Sequence, residues 1–465
     1  MVSSTVDSIG DGSPFDVMYR RLLWSVDVLG GDNPKSNSIT DHGMVDADAR
    51  KFEIDDPDVY LAKMNDGSSN GDLNARFSLL NHAERLRAIL SDGSIDPVRK
   101  GVLLREIHIA DLRLRDILSS EVEGVTRPTF QQNWEAITGT EPPTIASMKG
   151  EIEQIHGRLF ALLQRKGLNL GSAPLTFWVD EWEKSLQHYG VANADAITGI
   201  LRTTIGDFFG QFCSFTNRIP ALKPFVGELS IDRHEIAVLP DMNFDAGLSY
   251  IGGSLPNGRP SLAARFEWNA GRPATAVDIQ YVGIHEFIHA LNAQLMDLQR
   301  RAGLLGPESA LLTMSSCRVC VEEGFAQTGL EMLYGGFNNV VDALGIDMGI
   351  TMLLDQLQDI ARLAVAVGWN VDFAEYESSK RLEKLHDVVR YYLLQNEHIA
   401  HKYAGLKKRF WRETTGGNMY APAYWVGSRA FRKALEQHTA EEVFAVATHS
   451  RGLVDLDAFN QLLPS

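Results

Sequence analysis

The stretch Thr275–Leu295, TAVDIQYVGIHEFIHALNAQL, decides how this chain is read. Thr275 with Asp278 three residues on has the form of a capping box, and Pro273 sits just upstream. Val277, Ile284, Ile288, Leu291 and Leu295 then recur at helical spacing, so the stretch predicts a helix with one apolar face. His285 and His289 leave that helix one turn apart on the same side, and each can offer a ring nitrogen to a single ion. Glu286 is turned by about 100 degrees from His285. It need not ligate, and can instead hold and deprotonate a water. Two histidines on an ordinary helix are the bland alternative. With 13 histidines in the chain, chance supplies such an HExxH only on the order of a few hundredths of a time.

A catalytic zinc site needs a third protein ligand besides an open position. The stretch Ser316–Tyr334, SCRVCVEEGFAQTGLEMLY, reads as a helix ended by Gly335–Gly336 and carries Glu322 and Glu323 inside it. Two adjacent carboxylates in a largely apolar helix are costly to bury unless something compensates them, and a metal would. Solvation, or pairing with Arg318, is the alternative. Helical geometry lets one of the two face the site, and periodicity does not choose between them.

The surrounding chain has the size and composition of a globular protein. Its 465 residues can bury a large core, and 44% of them are hydrophobic and 22% charged. The net charge of -16 argues against a nucleic-acid surface, which needs a dense positive footprint. No segment reaches the roughly 18 to 20 apolar residues that span a bilayer. The N-terminal MVSSTVDSIGDGSPFDV has neither a basic start nor an apolar core, and Cys213, Cys317 and Cys320 are too few for a disulfide framework. Together these features lead to the expectation of a cytoplasmic protein without membrane or nucleic-acid partners.

Apolar residues at threes and fours predict helices from Leu73 to about Val122, and at about Ala146–Arg165, Phe177–His188 and Ala192–Asn217, a helical lobe broken at prolines. After Pro224 the runs FVGELSIDRHEIAVLP and SLAARFEWN have strand character. In the second, Leu262, Ala264, Phe266 and Trp268 fall on one face and Arg265 and Glu267 on the other, which reads as a half-buried strand at a sheet edge. GGSLPNGRPS lacks the lysine of a phosphate loop and reads as the turn before that strand. From there the chain reads as helical almost to its end.

HEFIH followed by EEGFA resembles the gluzincins, zinc peptidases with HExxH on one helix and a glutamate on the next. Their aminopeptidase branch, whose second helix carries NEGFA, is the nearest likeness. The resemblance implies His285, His289 and Glu323 as zinc ligands, Glu286 as the base, and Glu322 behind the ligands. Two features depart from that branch: 33 residues separate His289 from Glu323, and SLAARFEWN stands where a GAMEN-type segment would hold a substrate amine. The chain also resembles a mostly helical bacterial family of unknown function with a related HE…H helix, an EGWA-type helix and a late Tyr–x–x–Gly segment, matched by AYWVG at Ala423–Gly427. That likeness makes Tyr424 the expected donor to a developing oxyanion, with Tyr420 next.

Other groups carry less. His386 with Arg390, and His398 with His401, lie in a charged run from about Phe373 to Trp411 that reads as one long helix, where surface pairing explains them. Arg381, Arg390 and Arg429 are candidates to grip a substrate carboxylate. Cys317 and Cys320 form a CxxC that reads as buried core, with Cys320 able to line the metal pocket.

The expected fold is mainly α with a small β-sheet, a gluzincin-like metallopeptidase core flanked by a helical lobe. Residues 1–222 would form a mainly helical lobe, 223–345 the small sheet and zinc-binding helices, and 346–465 a helical lobe closing the cleft. The expected activity is zinc-dependent hydrolysis of a peptide or amide bond in a short peptide or peptide-like small molecule. The alternatives are a non-catalytic, metal-stabilised binding or scaffold protein, and a non-haem iron or manganese enzyme on the same two-His-one-Glu site.

Overall fold

The computed structural model describes residues 19, 22, 83–91, 95–119, 124–169, 171–240, 242, 246–254, 260–306, 316–392, 420–448 and 455–464. The pair His398 and His401 and the glycines at 416 and 417 lie outside them. So do the side chains of Arg390 and Tyr420. Within the described residues the protein is mainly helical with two small sheets.

The N-terminal part is built from α1 (Pro97–Ser119), α2 (Phe130–Thr138), α3 (Ile145–Arg165), α4 (Leu175–Ser185) and α5 (Ala194–Thr216). Thr129 and Thr144 close capping boxes ahead of α2 and α3, each side-chain oxygen accepting from the backbone N–H three residues on. The buried side chains form one continuous apolar cluster that runs from Tyr19 to Phe459.

A three-stranded sheet follows, from β1 (His234–Leu239), β2 (Ala246–Ser254) and β3 (Pro260–Asn269). β3 is the middle strand, parallel to β1 and antiparallel to β2. The edge position expected for Leu262–Asn269 is therefore wrong. Alternation reports which face of a strand is buried, but not how many neighbours it pairs with. Both flanks of β3 are taken, so it offers no open edge to an extended substrate. Phe266 and Trp268 are buried as their spacing predicts. Glu267 on the other face is also buried, where Arg265 meets it at 3.3 Å.

A short strand pairing, His188–Tyr189 with Ala274–Thr275, leads directly into α6 (Ala276–Arg301). The capping box is formed: Thr275 Oγ1 accepts from the Asp278 N–H at 3.1 Å, and Asp278 Oδ2 accepts from the Thr275 N–H at 3.0 Å. α6 is buried on most sides. Gly283 is packed so closely on Leu201 of α5 that a Cβ there would stand 2.7 Å from the leucine methyl. Phe287 packs edge-on against Phe208, Phe209 and His234, a burial that contributes about 1.5–3 kcal/mol.

After α6 come α7 (Val319–Tyr334), α8 (Phe337–Leu344) and α9 (Ile346–Val367). α7 ends as predicted, with Gly335 in the left-handed region at φ 77°. The long helix expected from about Phe373 begins at Ser378, and its part beyond Tyr392 lies outside the described residues. α9 runs into a π-helical stretch, Gly368–Asp372, and a turn precedes α10 (Ser378–Tyr392). Asp372 is drawn out of the helical pattern to accept from the Ile145 N–H at 2.8 Å, at the first turn of α3. The chain closes with α11 (Tyr420–Leu435), α12 (Ala440–Ala447) and α13 (Leu456–Leu462).

Candidate metal centre

α6 and α7 lie side by side, and the side chains they exchange form a compact polar knot inside an apolar surround. His285 Nε2 and His289 Nε2 are 3.2 Å apart. Glu323 Oε2 lies 3.4 Å from the first and 3.5 Å from the second. Three ligands bonded at about 2.0–2.2 Å around a tetrahedral ion hold their donor atoms roughly 3.3–3.6 Å apart. The observed triangle therefore has the size of one face of a zinc tetrahedron. Among the described residues it is the one group of three or more His, Cys, Asp or Glu side chains that converges in this way.

The electrostatics agree with the size. Burial alone would raise the Glu323 carboxyl, but His289 and His285 outweigh it and hold the group well below the usual carboxylate range. Burial opposes a charge on His289, yet Glu323 and then Glu322 raise it well above the ordinary histidine value. A pocket that holds a proton between these groups so firmly offers the same field to a metal cation.

Glu322 takes a different position from Glu323. Its Oε2 accepts from Asn292 Nδ2 at 2.9 Å and stands 4.0 Å from His289 Nδ1, behind the imidazole. Arg318, the partner considered for it from sequence, lies 3.6 Å from Glu106 and also feels the charge of Glu322. Glu286 lies on the same helix next to His285. Burial pushes its carboxyl upward and the two histidines pull it back, with a net rise. That is the direction expected of a carboxylate that takes up a proton.

α11 brings the fourth participant. It crosses α7 at backbone contact: a Cβ on Gly324 would stand 2.5 Å from the carbonyl carbon of Gly427, and one on Gly427 would run into the carbonyl oxygen of Cys320. Three residues before Gly427, the Tyr424 ring stacks near His285 with centroids 6.2 Å apart and planes 22° apart. The glycine after Glu323 and the glycine of AYWVG are thus two halves of one contact, and that contact sets the tyrosine beside His285.

Several groups at the site carry no motif. One helical turn from the ligands, Tyr281 Oη lies 2.7 Å from Gln327 Oε1 and 2.8 Å from Asp355 Oδ2. Gln327 Nε2 donates to Asp359 Oδ2 at 2.9 Å. Tyr281 precedes His285 by four residues and Gln327 follows Glu323 by four, so these bonds tie α6, α7 and α9 together directly below the triangle. The signal was present in DQLQDIAR, where Asp355, Asp359 and Arg362 share one stripe of an otherwise apolar helix.

Two of the three arginines named from sequence, Arg381 and Arg429, make their contacts elsewhere. Arg381 donates to the carbonyls of Trp369, Ala374 and Tyr376 beside the π-helical stretch. Arg429 is exposed and stacks on Trp425 at 4.9 Å. His386 is exposed on α10. Cys317 and Cys320 are fully buried as expected, but Cys320 does not line the pocket: its thiol points to the Ile137 carbonyl, 3.9 Å away.

No family model matches the chain, and no curated protein matches it. Two solved structures are similar. One is described as a "putative lipoprotein" from Colwellia psychrerythraea, at 13% identity and a TM-score of 0.48, covering 88% of this chain and 68% of that one. The other is a "putative lipoprotein of unknown function" from Shewanella oneidensis, at 13% identity and a TM-score of 0.44, covering 96% of this chain and 82% of that one. Likeness at this level assigns neither a family nor an activity. The cytoplasmic location expected from the sequence is not upheld: both of these similar structures are described as putative lipoproteins. Its premises were too weak to carry it: a lipid tether requires neither a spanning helix nor many cysteines. Among the described residues, no helix is long and apolar enough to cross a membrane.

Proposed function

We propose that this chain is a zinc-dependent hydrolase with a gluzincin-like centre, cleaving a peptide or amide bond in a short peptide or peptide-like small molecule. The observation that carries the reading is the triangle of His285 Nε2, His289 Nε2 and Glu323 Oε2, with edges of 3.2–3.5 Å, next to a buried Glu286. His285, His289 and Glu323 would hold the ion. Zinc in such a site supplies a Lewis acid for the carbonyl and lowers the pKa of water.

The chain's own residues supply the remaining chemistry. Glu286 takes the proton of the attacking water and returns it to the leaving amine, and its upward-shifted carboxyl suits both transfers. Tyr424 presents its hydroxyl to the carbonyl oxygen as negative charge gathers there. Glu322, held by Asn292, fixes the ring of His289 from behind. The apolar packing of α5, α6 and α7 keeps bulk water from the carboxylates, which strengthens each of these interactions.

The test is Glu286→Gln, which keeps shape and removes the base. Zinc content by elemental analysis and the melting temperature should match wild type, while turnover of a peptide library falls by about two or more powers of ten. Unchanged turnover removes Glu286 from the mechanism. A zinc-loaded wild type with no turnover on any peptide favours the binding or scaffold reading instead.

A further inference from the structure

The groups so far assigned handle the scissile bond, and none of them recognises the rest of a substrate. Acids also predominate among the groups around them. Glu323 is a corner of the triangle, Glu286 and Glu322 flank it, and Asp355 and Asp359 lie one turn below it. A substrate carrying an anion would be repelled from this cleft unless a cation met it there.

Arg362 is a cation close to these groups. It lies on the α9 stripe, three residues after Asp359, with 22% of its side chain exposed. Its guanidinium carbon stands 5.8 Å from the centre of the Tyr424 ring, on the tyrosine that stacks near His285. With the 6.2 Å step from that ring to His285, the guanidinium is at most about 12 Å from the imidazole, no more than the span of about three or four residues of extended chain. A guanidinium presents a fork of five N–H donors, so it can hold a structural carboxylate and a second acceptor together. The structural carboxylate is Asp359, whose Oδ1 is 3.4 Å from Nη1. Burial, and then the neighbouring Asp355, push the Asp359 carboxyl well above its ordinary value, which weakens it as a counter-ion for Arg362. The other arginine of this face, Arg432, is engaged with Glu331 at 3.1 Å.

We propose that Arg362 is the anion anchor of the cleft, gripping a free carboxylate on the substrate, so that the substrates are peptides or N-acyl amino acids cut close to a carboxyl terminus. The substrate class rests on the hydrolase reading, whereas the carboxylate grip does not.

The experiment measures binding rather than turnover. Hydroxamates of succinic and glutaric acid, each as the free carboxylate and as the primary amide, are titrated calorimetrically into the zinc-loaded full chain. Wild type should bind the better carboxylate at least about tenfold more tightly than its amide, as a charge-assisted hydrogen bond provides. Arg362→Ala should abolish that preference and Arg362→Lys should keep part of it, both with wild-type zinc content and melting temperature. Equal affinity for both forms in wild type, a preference that survives Arg362→Ala, or no binding of any of the four compounds would each overturn the anchor. A carboxylate preference without peptide turnover would leave the anchor standing and remove the hydrolase reading.

Discussion

Two buried polar clusters meet the helix α7, and they are built on opposite plans. At its N-terminal end Glu106 accepts from Ser316 Oγ and from Cys317 Sγ, and pairs with Arg318. Nearby, Arg105 bridges Asp455 and Asp457. Acids and bases alternate there, and protein groups alone bring the charges close to balance. One turn further along, the second cluster gathers Glu286, Glu322 and Glu323 around two imidazoles whose nitrogens approach to 3.2 Å. The first plan compensates its own burial, and so it is structural. The second gathers carboxylates and imidazoles around one point, an arrangement that the proposed metal ion would compensate.

Exchanging the parts should break the two clusters differently. The largest effect is expected from the His285→Ala/His289→Ala double variant, which should fall from one zinc per chain to none by elemental analysis; retained metal would end the metal-centre reading. Glu106→Ala should cost about 3–5 kcal/mol in denaturant unfolding, because it removes a buried carboxylate that Ser316, Cys317 and Arg318 share. The folded fraction should still carry a full complement of zinc. If zinc is lost in proportion to stability, the two clusters are one unit and the contrast fails.

Smaller changes sharpen the second cluster. Tyr424→Phe should lower the maximal rate by about a hundredfold with metal content unchanged, the loss typical of one oxyanion donor. Glu323→Ala should weaken zinc binding more than Glu322→Ala, for which a loss of about 10–100-fold in zinc affinity is expected by competition with a chelator. The reverse order would mean that Glu322 is the ligand and Glu323 its support.

The ligand helix was legible because its signals are local. Thr275, Asp278, His285, Glu286 and His289 all lie within four turns, and helical spacing alone places them on their faces. The choice of Glu323 over Glu322 was not legible from periodicity. It follows from the roll of α7, and the contact of Gly324 with Gly427, about a hundred residues later, sets that roll. The sheet was misread for a similar reason: β3 shows its buried face in its own residues, while its second neighbour comes from another part of the chain. Arg362 escaped notice because the aromatic group it meets lies on α11, which its own helix does not encode.

The Gly324–Gly427 contact also works as a fulcrum. Tyr424 lies three residues from it, an arm of about 4.5 Å along the helix axis, and Tyr420 seven residues away, about 10.5 Å. A 10° rocking of α11 about that point would carry Tyr424 by roughly 0.8 Å and Tyr420 by roughly 1.8 Å. Productive catalytic geometry tolerates about 0.5 Å. Even the short arm overshoots that tolerance at 10°, so α11 has to be held against rocking to within roughly 6° for Tyr424 to keep its register, and a backbone contact this close to the tyrosine is the place where such rocking displaces it least.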